Sequence, residues 1–324
     1  MKRVLLTGGT GFIGANLARR LLVEGHELHL TIRPDHDDWR ISEINPHIEP
    51  HRIDLLDRDG LRETVERIRP DWIFHLAVYG AYSWQQDFGT MQRTNVSGTQ
   101  NLVDACAKVG FEAFVNTGSS SEYGFVDRPT SEDDPPDPNS AYAFTKAAAT
   151  LFCRYAARLN DLPMITLRIY SAYGPFEDPL RLIPTVIVNG LKGRLPPLVG
   201  RDVARDFVYI DDVVEAFLLA AHGPISDPGA IYNVASGRQS SIGDVVALAR
   251  AEFRIAEQPR WGSMEPRSWD TSTWAGRPDK IRRDLGWSAS VQLEHGFKTF
   301  VRWFEDSPKY ESLYRAALDK RSAP

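Results

Sequence analysis

Cysteine is scarce in this chain, and its two examples, Cys106 and Cys153, both lie in apolar stretches with helical spacing. Two thiols so placed supply neither a disulfide framework nor metal-ligand spacing. No metal centre is expected, and a reducing, cytoplasmic setting is the default. A surplus of positive charge is missing too: 38 Lys and Arg against 43 Asp and Glu leave a net charge of −5. Without a general basic field, neither nucleic acid nor an anionic membrane is an expected partner, so a phosphate-bearing ligand must be held by local arginines and helix ends. No apolar run approaches a membrane span. The opening MKRVLLTGG reads as a strand and a glycine turn, with no signal-peptide apolar region.

What is there is alternation. RVLLTG, ELHLTIR, HRIDLLD, DWIFHLA, EAFVNTG and PMITLRIY read as apolar strands. Between them lie amphipathic stretches such as FIGANLARRLLVEG, LRETVERIRP and YAFTKAAATLFCRYAARLN. Strands alternating with helices argue for an α/β fold with a doubly wound parallel sheet of Rossmann type. The near-continuous apolar strands agree, because such sheets are covered on both faces. After Gly174 prolines become frequent and the elements shorten. We read 1–174 as the dinucleotide-binding domain, with a return of the chain to the sheet over about 207–237. Segments 175–206 and 238–324 form a smaller, interleaved substrate-binding domain.

TGGTGFIG sets Gly8, Gly11 and Gly14 between the first strand and the first helix. Gly9, Gly11 and Gly14 also fit G-x-G-x-x-G, a spacing that lets the backbone approach a pyrophosphate and the helix pack close to the strand. The helix start, with Phe12 and Ile13, then turns free N–H groups toward the anion. An enzyme of this kind that prefers NAD usually carries an acid at the end of the second strand. Here that place is Ile32, followed by Arg33, and Asp35, Asp37 and Asp38 come later. A guanidinium there suits a 2′-phosphate, so Arg33 favours NADP(H), with NAD as the alternative. Asp54 in IDLLD, with Leu55 beside it, is set to meet the adenine edge.

Tyr142 and Lys146 in YAFTK stand four apart, on one face of a helix. A tyrosine titrates near ~10, too high for proton exchange at neutrality. An ammonium about 4 Å away attracts the phenolate by at most ~4 kcal/mol at an effective dielectric of ~20, and so eases that exchange. Alone the pair is commonplace; one strand after NTGSSSEYG and downstream of a dinucleotide turn, it points to chemistry.

Taken together, GGTGFIG, FHLA (74–77), TNVSGT (94–99), SSSEYG, YAFTK, YGP (173–175), RDFVYIDDVV (205–214) and LGW (285–287) resemble the extended short-chain dehydrogenase/reductase family that modifies nucleotide sugars. The resemblance covers nearly the whole chain. It implies Ser119, four residues before Tyr123-Gly124, as the catalytic hydroxyl beside Tyr142 and Lys146. It also implies Leu76, Ala77 and Asn95 around the cofactor, and a homodimer through helices at about 90–109 and 142–160. Arg205 matches an arginine that holds the substrate diphosphate, and Arg267 and Asp270 match an element that meets the nucleotide ribose. Tyr79, Ser120, Ser121 and Ser171 are the remaining expected substrate contacts, Ser171 standing where many members carry asparagine.

Ser120 and Ser121 occupy the places where 4,6-dehydratases of the family carry an Asp-Glu pair for acid and base steps, which argues against dehydration. GSSSEYG, AVYGAYSWQQD and YGPFEDPLRLIP are similar to segments of nucleotide-linked 4-keto-6-deoxyhexose reductases, the CDP-paratose and CDP-abequose synthases among them. The expected activity is therefore NADPH-dependent reduction of a 4-keto-deoxyhexose on a nucleotide diphosphate. An NAD-dependent 4-epimerase is the alternative, and a non-catalytic dinucleotide-binding regulator a third reading.

Overall fold

In the computed structural model, residues 1–322 are described apart from 34–35, 83, 224 and 266–270. The expected sheet is present, with seven strands: β1 (Arg3–Thr7), β2 (Glu27–Ile32), β3 (Glu49–Arg52), β4 (Trp72–His75), β5 (Ala113–Ser119), β6 (Met164–Ile169) and β10 (Ala230–Val234). Their order is β10-β6-β5-β4-β1-β2-β3, and every pairing is parallel. Winding reverses at β1, so a crevice opens at the carboxyl ends of β1 and β4.

Helices α1 (Phe12–Val23), α2 (Arg58–Ile68), α3 (Phe88–Gln92), α4 (Gly98–Val109), α5 (Ala141–Asn160), α6 (Leu182–Gly190), α7 (Ile210–His222), α8 (Ile242–Glu252), α9 (Asp279–Leu285), α10 (Leu293–Asp306) and α11 (Pro308–Ser322) complete the regular elements, with short strands β7 (Ser171–Tyr173), β8 (Ala204–Arg205), β9 (Phe207–Tyr209) and β11 (Ser240–Ser241). Local chemistry sets their ends. Leu17, Ala18 and Leu21 seat α1 on the sheet, and Gly25, at φ 77°, turns the chain out of it. Asp57 caps α2 by accepting the Gly60 N–H at 3.0 Å, and Ser140 caps α5 by accepting the Ala143 N–H at 3.2 Å. Among the described residues no helix is long and apolar enough to cross a membrane.

Two expectations are corrected. FVY does not rejoin the large sheet: β9 pairs with β7, a separate two-stranded ribbon, and only IYNV returns, as β10. Asp206 accounts for the diversion. Its buried carboxylate accepts N–H bonds from Ser236 (2.8 Å), Gly237 and Gly276 (both 3.1 Å), which anchors the ribbon beside the turn after β10. HRIDLLD is also a shorter strand than its pattern suggests, because pairing with β2 stops at Arg52 and Asp54 already lies in the turn.

Candidate active site

The phosphate-binding turn and the end of β4 meet at backbone distance. A Cβ on Gly8, whose φ is +72°, would stand 2.5 Å from the Leu76 carbonyl carbon and 2.6 Å from the Ala77 nitrogen. A Cβ on Gly14 would stand 2.3 Å from the Gly8 oxygen. These two glycines are required by the protein itself. Gly11 is different: a Cβ there meets only the Gly8 oxygen, at 3.2 Å. Its bareness leaves room for a ligand to approach the backbone, at a helix start with no capping side chain and no acid in the first turn. The residues present therefore fit a dinucleotide. Arg33 follows the last residue of β2 and is exposed, and Asp54 lies just beyond β3, its carboxylate accepting the Leu56 N–H at 2.9 Å.

A buried histidine ties this turn to the helix behind the site. The Thr99 hydroxyl donates to the Asn95 carbonyl at 2.6 Å, so it accepts from His75 Nε2 at 2.8 Å. His75 Nδ1 then accepts from the Thr7 hydroxyl at 2.7 Å, and Thr7 Oγ1 accepts the Leu76 and Ala77 N–H groups at 3.2 Å. The network assigns a neutral imidazole with its proton on Nε2. Burial, with Lys146 nearby, pulls the His75 pKa down to about 3. Asn95 sits in a π-helical turn, Arg93–Ser97, between α3 and α4. It accepts the Tyr79 N–H (2.8 Å) and donates to the Tyr79 carbonyl (2.8 Å) and to Thr145 Oγ1 (2.9 Å). Its side chain is spent on positioning the Tyr79 loop against α5, the residue before Lys146.

Ser119 ends β5 and opens a short 3-10 turn, Ser120–Tyr123. Its hydroxyl accepts the Ser121 N–H at 3.2 Å and lies 2.7 Å from Ser121 Oγ, and it is near enough to the Tyr142 phenol to favour the phenolate. The expected trio is thus gathered at the carboxyl edge of the sheet, but its electrostatics differ from expectation. Burial raises the Tyr142 pKa above its ordinary value, opposed by the nearby Ser119 hydroxyl and by Arg181. The Lys146 ammonium donates instead to the Thr117 carbonyl at 2.5 Å, and burial lowers its own pKa. In this state the phenol is held neutral; the phenolate is not preformed.

The 3-10 turn aims Glu122 into the core. Its carboxylate meets Arg168 Nε at 2.9 Å and accepts from the Ser119 N–H (2.7 Å) and the Thr150 hydroxyl (3.0 Å). On the substrate side, Ser171 starts β7 and Arg205 ends β8. The Arg205 guanidinium lies 5.5 Å from the Trp274 ring centroid and donates to the Ala204 carbonyl at 2.7 Å. Arg267 and Asp270 lie outside the described residues. Among the described residues no cluster of ligating side chains could hold a metal.

Two residues were not singled out from sequence. Trp274 donates its indole N–H to Ser120 Oγ at 3.2 Å and so joins the serine segment to Arg205. Arg181 donates to the Ala81 carbonyl at 2.6 Å and carries the positive charge that most favours the Tyr142 phenolate. No local pattern marks either: each reaches the site from a loop whose partner lies 100 residues or more away.

Known proteins resemble this chain in sequence and fold. The family described as NAD dependent epimerase/dehydratase matches residues 4–235. The chain is 31% identical to the UDP-glucose 4-epimerase of Mycolicibacterium smegmatis, over 94% of this chain and 99% of that protein. It is 29% identical to a dTDP-glucose 4,6-dehydratase of Streptomyces griseus, over 99% and 98%. Its fold superposes on MoeE5, solved with UDP-glucuronic acid and NAD, with TM-score 0.82 and 31% identity over 94% of this chain and 99% of that one. This chain therefore belongs to the NAD-dependent epimerase/dehydratase family, an enzyme family whose relatives named here act on nucleotide sugars.

Proposed function

We propose that this protein interconverts a carbinol and a ketone on the hexose of a nucleotide-diphosphate sugar, and that the net outcome is epimerisation at C4. The observation that carries the reading is Glu122, the one carboxylate of the 116–124 segment, locked against Arg168 in the core, while Ser119 lies beside the Tyr142 phenol and favours its ionised form. Elimination of water needs a free acid and base beside the hydroxyl, and Ser120 and Ser121 cannot supply them. Oxidation and reduction at a carbinol need only one group that takes and returns a proton, which Tyr142 provides. Ser119 orients the sugar oxygen. Gly8 to Gly14, with the start of α1, would hold a nicotinamide dinucleotide, which supplies the hydride acceptor when bound. Lys146, one turn beyond Tyr142, would hold that cofactor's ribose. Arg205 supports a diphosphate contact, and the Trp274 ring walls the space between it and Ser120.

NAD is the cofactor we favour, since the family's description and the similar structures name it. Arg33, exposed just past β2, supports a second reading: NADPH-dependent net reduction of a 4-keto-deoxyhexose. Incubation with UDP-glucose and UDP-glucuronic acid, followed by NMR of the hexose, separates the two. An inverted C4 with no net change at 340 nm supports epimerisation. Stoichiometric NADPH oxidation with a 4-keto sugar supports reduction and removes the first reading. Tyr142→Phe should lower turnover by about 10²–10⁴-fold in either case; unchanged turnover removes both.

A homodimer is part of the proposal. Leu151, Tyr155 and Leu159 form an exposed apolar row on α5, the last two 62% and 64% exposed, and Phe88 packs at 6.1 Å from the half-exposed Phe144. Such a row supports a helix-to-helix contact between two copies. Light scattering of wild type and of Tyr155→Glu/Leu159→Glu tests it: a monomeric wild type overturns the contact.

A further inference from the structure

Three successive carbonyls after β7 are each held by a side chain from a different part of the chain. Asn16 of α1 donates to the Pro175 carbonyl at 3.0 Å, Arg40 Nε to the Phe176 carbonyl at 2.8 Å, and the Tyr314 hydroxyl of α11 to the Glu177 carbonyl. The backbone they hold is strained. Phe176 has φ +69°, a left-handed conformation that a bulky side chain rarely takes. We infer that Arg40 is a positioning residue that links dinucleotide binding to sugar binding, by holding Phe176 left-handed and so fixing the loop 174–181, a role that rests on the reading of Gly8 to Gly14 as the dinucleotide seat.

The hold on Phe176 has two parts. Its ring is buried, with the Arg19 guanidinium 3.9 Å from its centroid and the Trp303 and Tyr310 rings at 5.1 Å. These contacts seat the ring, but the direction of the carbonyl depends on Arg40. A return to negative φ would turn the carbonyl away and strip a buried guanidinium of its acceptor, a cost that opposes relaxation. Arg40 itself is 8% exposed and lies 4.2 Å from the Trp39 ring centroid. Its own carbonyl accepts from Arg19 Nη2 at 2.6 Å, so Arg40 ties α1, the segment after β2 and the loop together.

The loop has a ligand side at each end. Asn16 and Arg19 stand on α1, whose start at Gly11 is the candidate pyrophosphate seat, and Arg40 stands on the segment that follows Arg33. At the far end, Arg181 donates to the Ala81 carbonyl at 2.6 Å, in the segment that follows Ala77 and borders the site. At the near end, the loop continues from β7, where the Ser171 N–H donates to the Asp206 carbonyl at 3.0 Å, next to Arg205. A dinucleotide that fixes α1 and the segment after β2 thereby fixes Arg40, the Phe176 carbonyl and the substrate side of the loop. A sugar that needs the loop in this shape binds better once that hold is made, and by linkage it returns the same factor to the dinucleotide.

Calorimetry in a Tyr142→Phe background, where nothing turns over, measures that factor directly. NAD should tighten UDP-glucose about fivefold, and UDP-glucose should tighten NAD equally. Arg40→Met keeps an apolar stem against Trp39 but withdraws the donor from Phe176. It should bind NAD alone within about twofold of its parent and lose the linkage. Tyr314→Phe frees the neighbouring Glu177 carbonyl from a helix outside the dinucleotide side, and should keep it. That control separates positioning from a general loosening of the loop. Should Arg40→Met not fold, Asn16→Ala, which frees the Pro175 carbonyl from α1, takes its place with the same expectation. No linkage in the parent, a linkage untouched by Arg40→Met, or equal loss in Tyr314→Phe overturns the role. A linkage that needs Arg40, in a protein whose wild type inverts no C4 by NMR, overturns the proposed function and leaves the role of Arg40 standing.

Discussion

Arg168 and Glu122 form a buried ion pair, Nε to Oε2 at 2.9 Å, in which both side chains are almost wholly excluded from solvent. Glu122 spends its other bonds on the Ser119 N–H and the Thr150 hydroxyl, so the pair fixes the end of β5 against α5. Arg168 also lies 4.5 Å from the Tyr123 ring centroid. A carboxylate beside the reacting serine is thus part of the scaffold.

Breaking that pair leaves a buried guanidinium uncompensated. Glu122→Gln should lose about 3–5 kcal/mol of stability in urea titrations, and Glu122→Leu combined with Arg168→Met should recover most of it. A loss below about 1 kcal/mol would mean that the pair does not hold the turn.

Acid should unfold the protein in part through His75. Its folded pKa, about 3, lies below the reference value of 6.5, so the unfolded chain binds the proton first. Stability is therefore full above pH 6.5 and falls as pH drops toward 3. The loss attributable to His75 is roughly 2 kcal/mol at pH 5. Urea titrations at pH 7 and pH 5 should show wild type losing more than His75→Gln, whose side chain carries no proton to gain. Equal losses would assign the acid sensitivity elsewhere.

The glycines of the turn should separate fold from binding. Gly14→Ala places a methyl 2.3 Å from the Gly8 oxygen and should lower the melting temperature. Gly11→Ala, with its nearest contact at 3.2 Å, should melt close to wild type yet weaken NAD binding at least about tenfold, since its methyl enters the ligand's side of the turn. Calorimetry of both variants checks this; tight NAD binding by Gly11→Ala contradicts it.

Arg33 decides between dinucleotides if it meets a 2′-phosphate. Arg33→Ala should then weaken NADPH by about tenfold or more and leave NADH unchanged. A preference for NADH in wild type, unaltered by the substitution, assigns Arg33 to the surface.

Much of this was written locally in the chain. The alternation of strand and helix, the glycine spacing and the four-residue step from Tyr142 to Lys146 are short-range signals. Each reports a backbone requirement that neighbours in sequence satisfy, and the parallel sheet follows from them. Ser119 is placed by the family resemblance, as the residue four before Tyr123-Gly124.

Folding decided what depends on distant partners. Glu122 stands only three residues from Ser119 in the chain, yet Arg168, 46 residues later, draws it into the core. Lys146 reads as the cation on Tyr142 until the Thr117 carbonyl claims it and burial holds the phenol neutral. Trp274 and Arg181 enter the site across 154 and 100 residues. Desolvation and long-range hydrogen bonds set charge and orientation, and both depend on what the fold brings alongside, which no local spacing encodes.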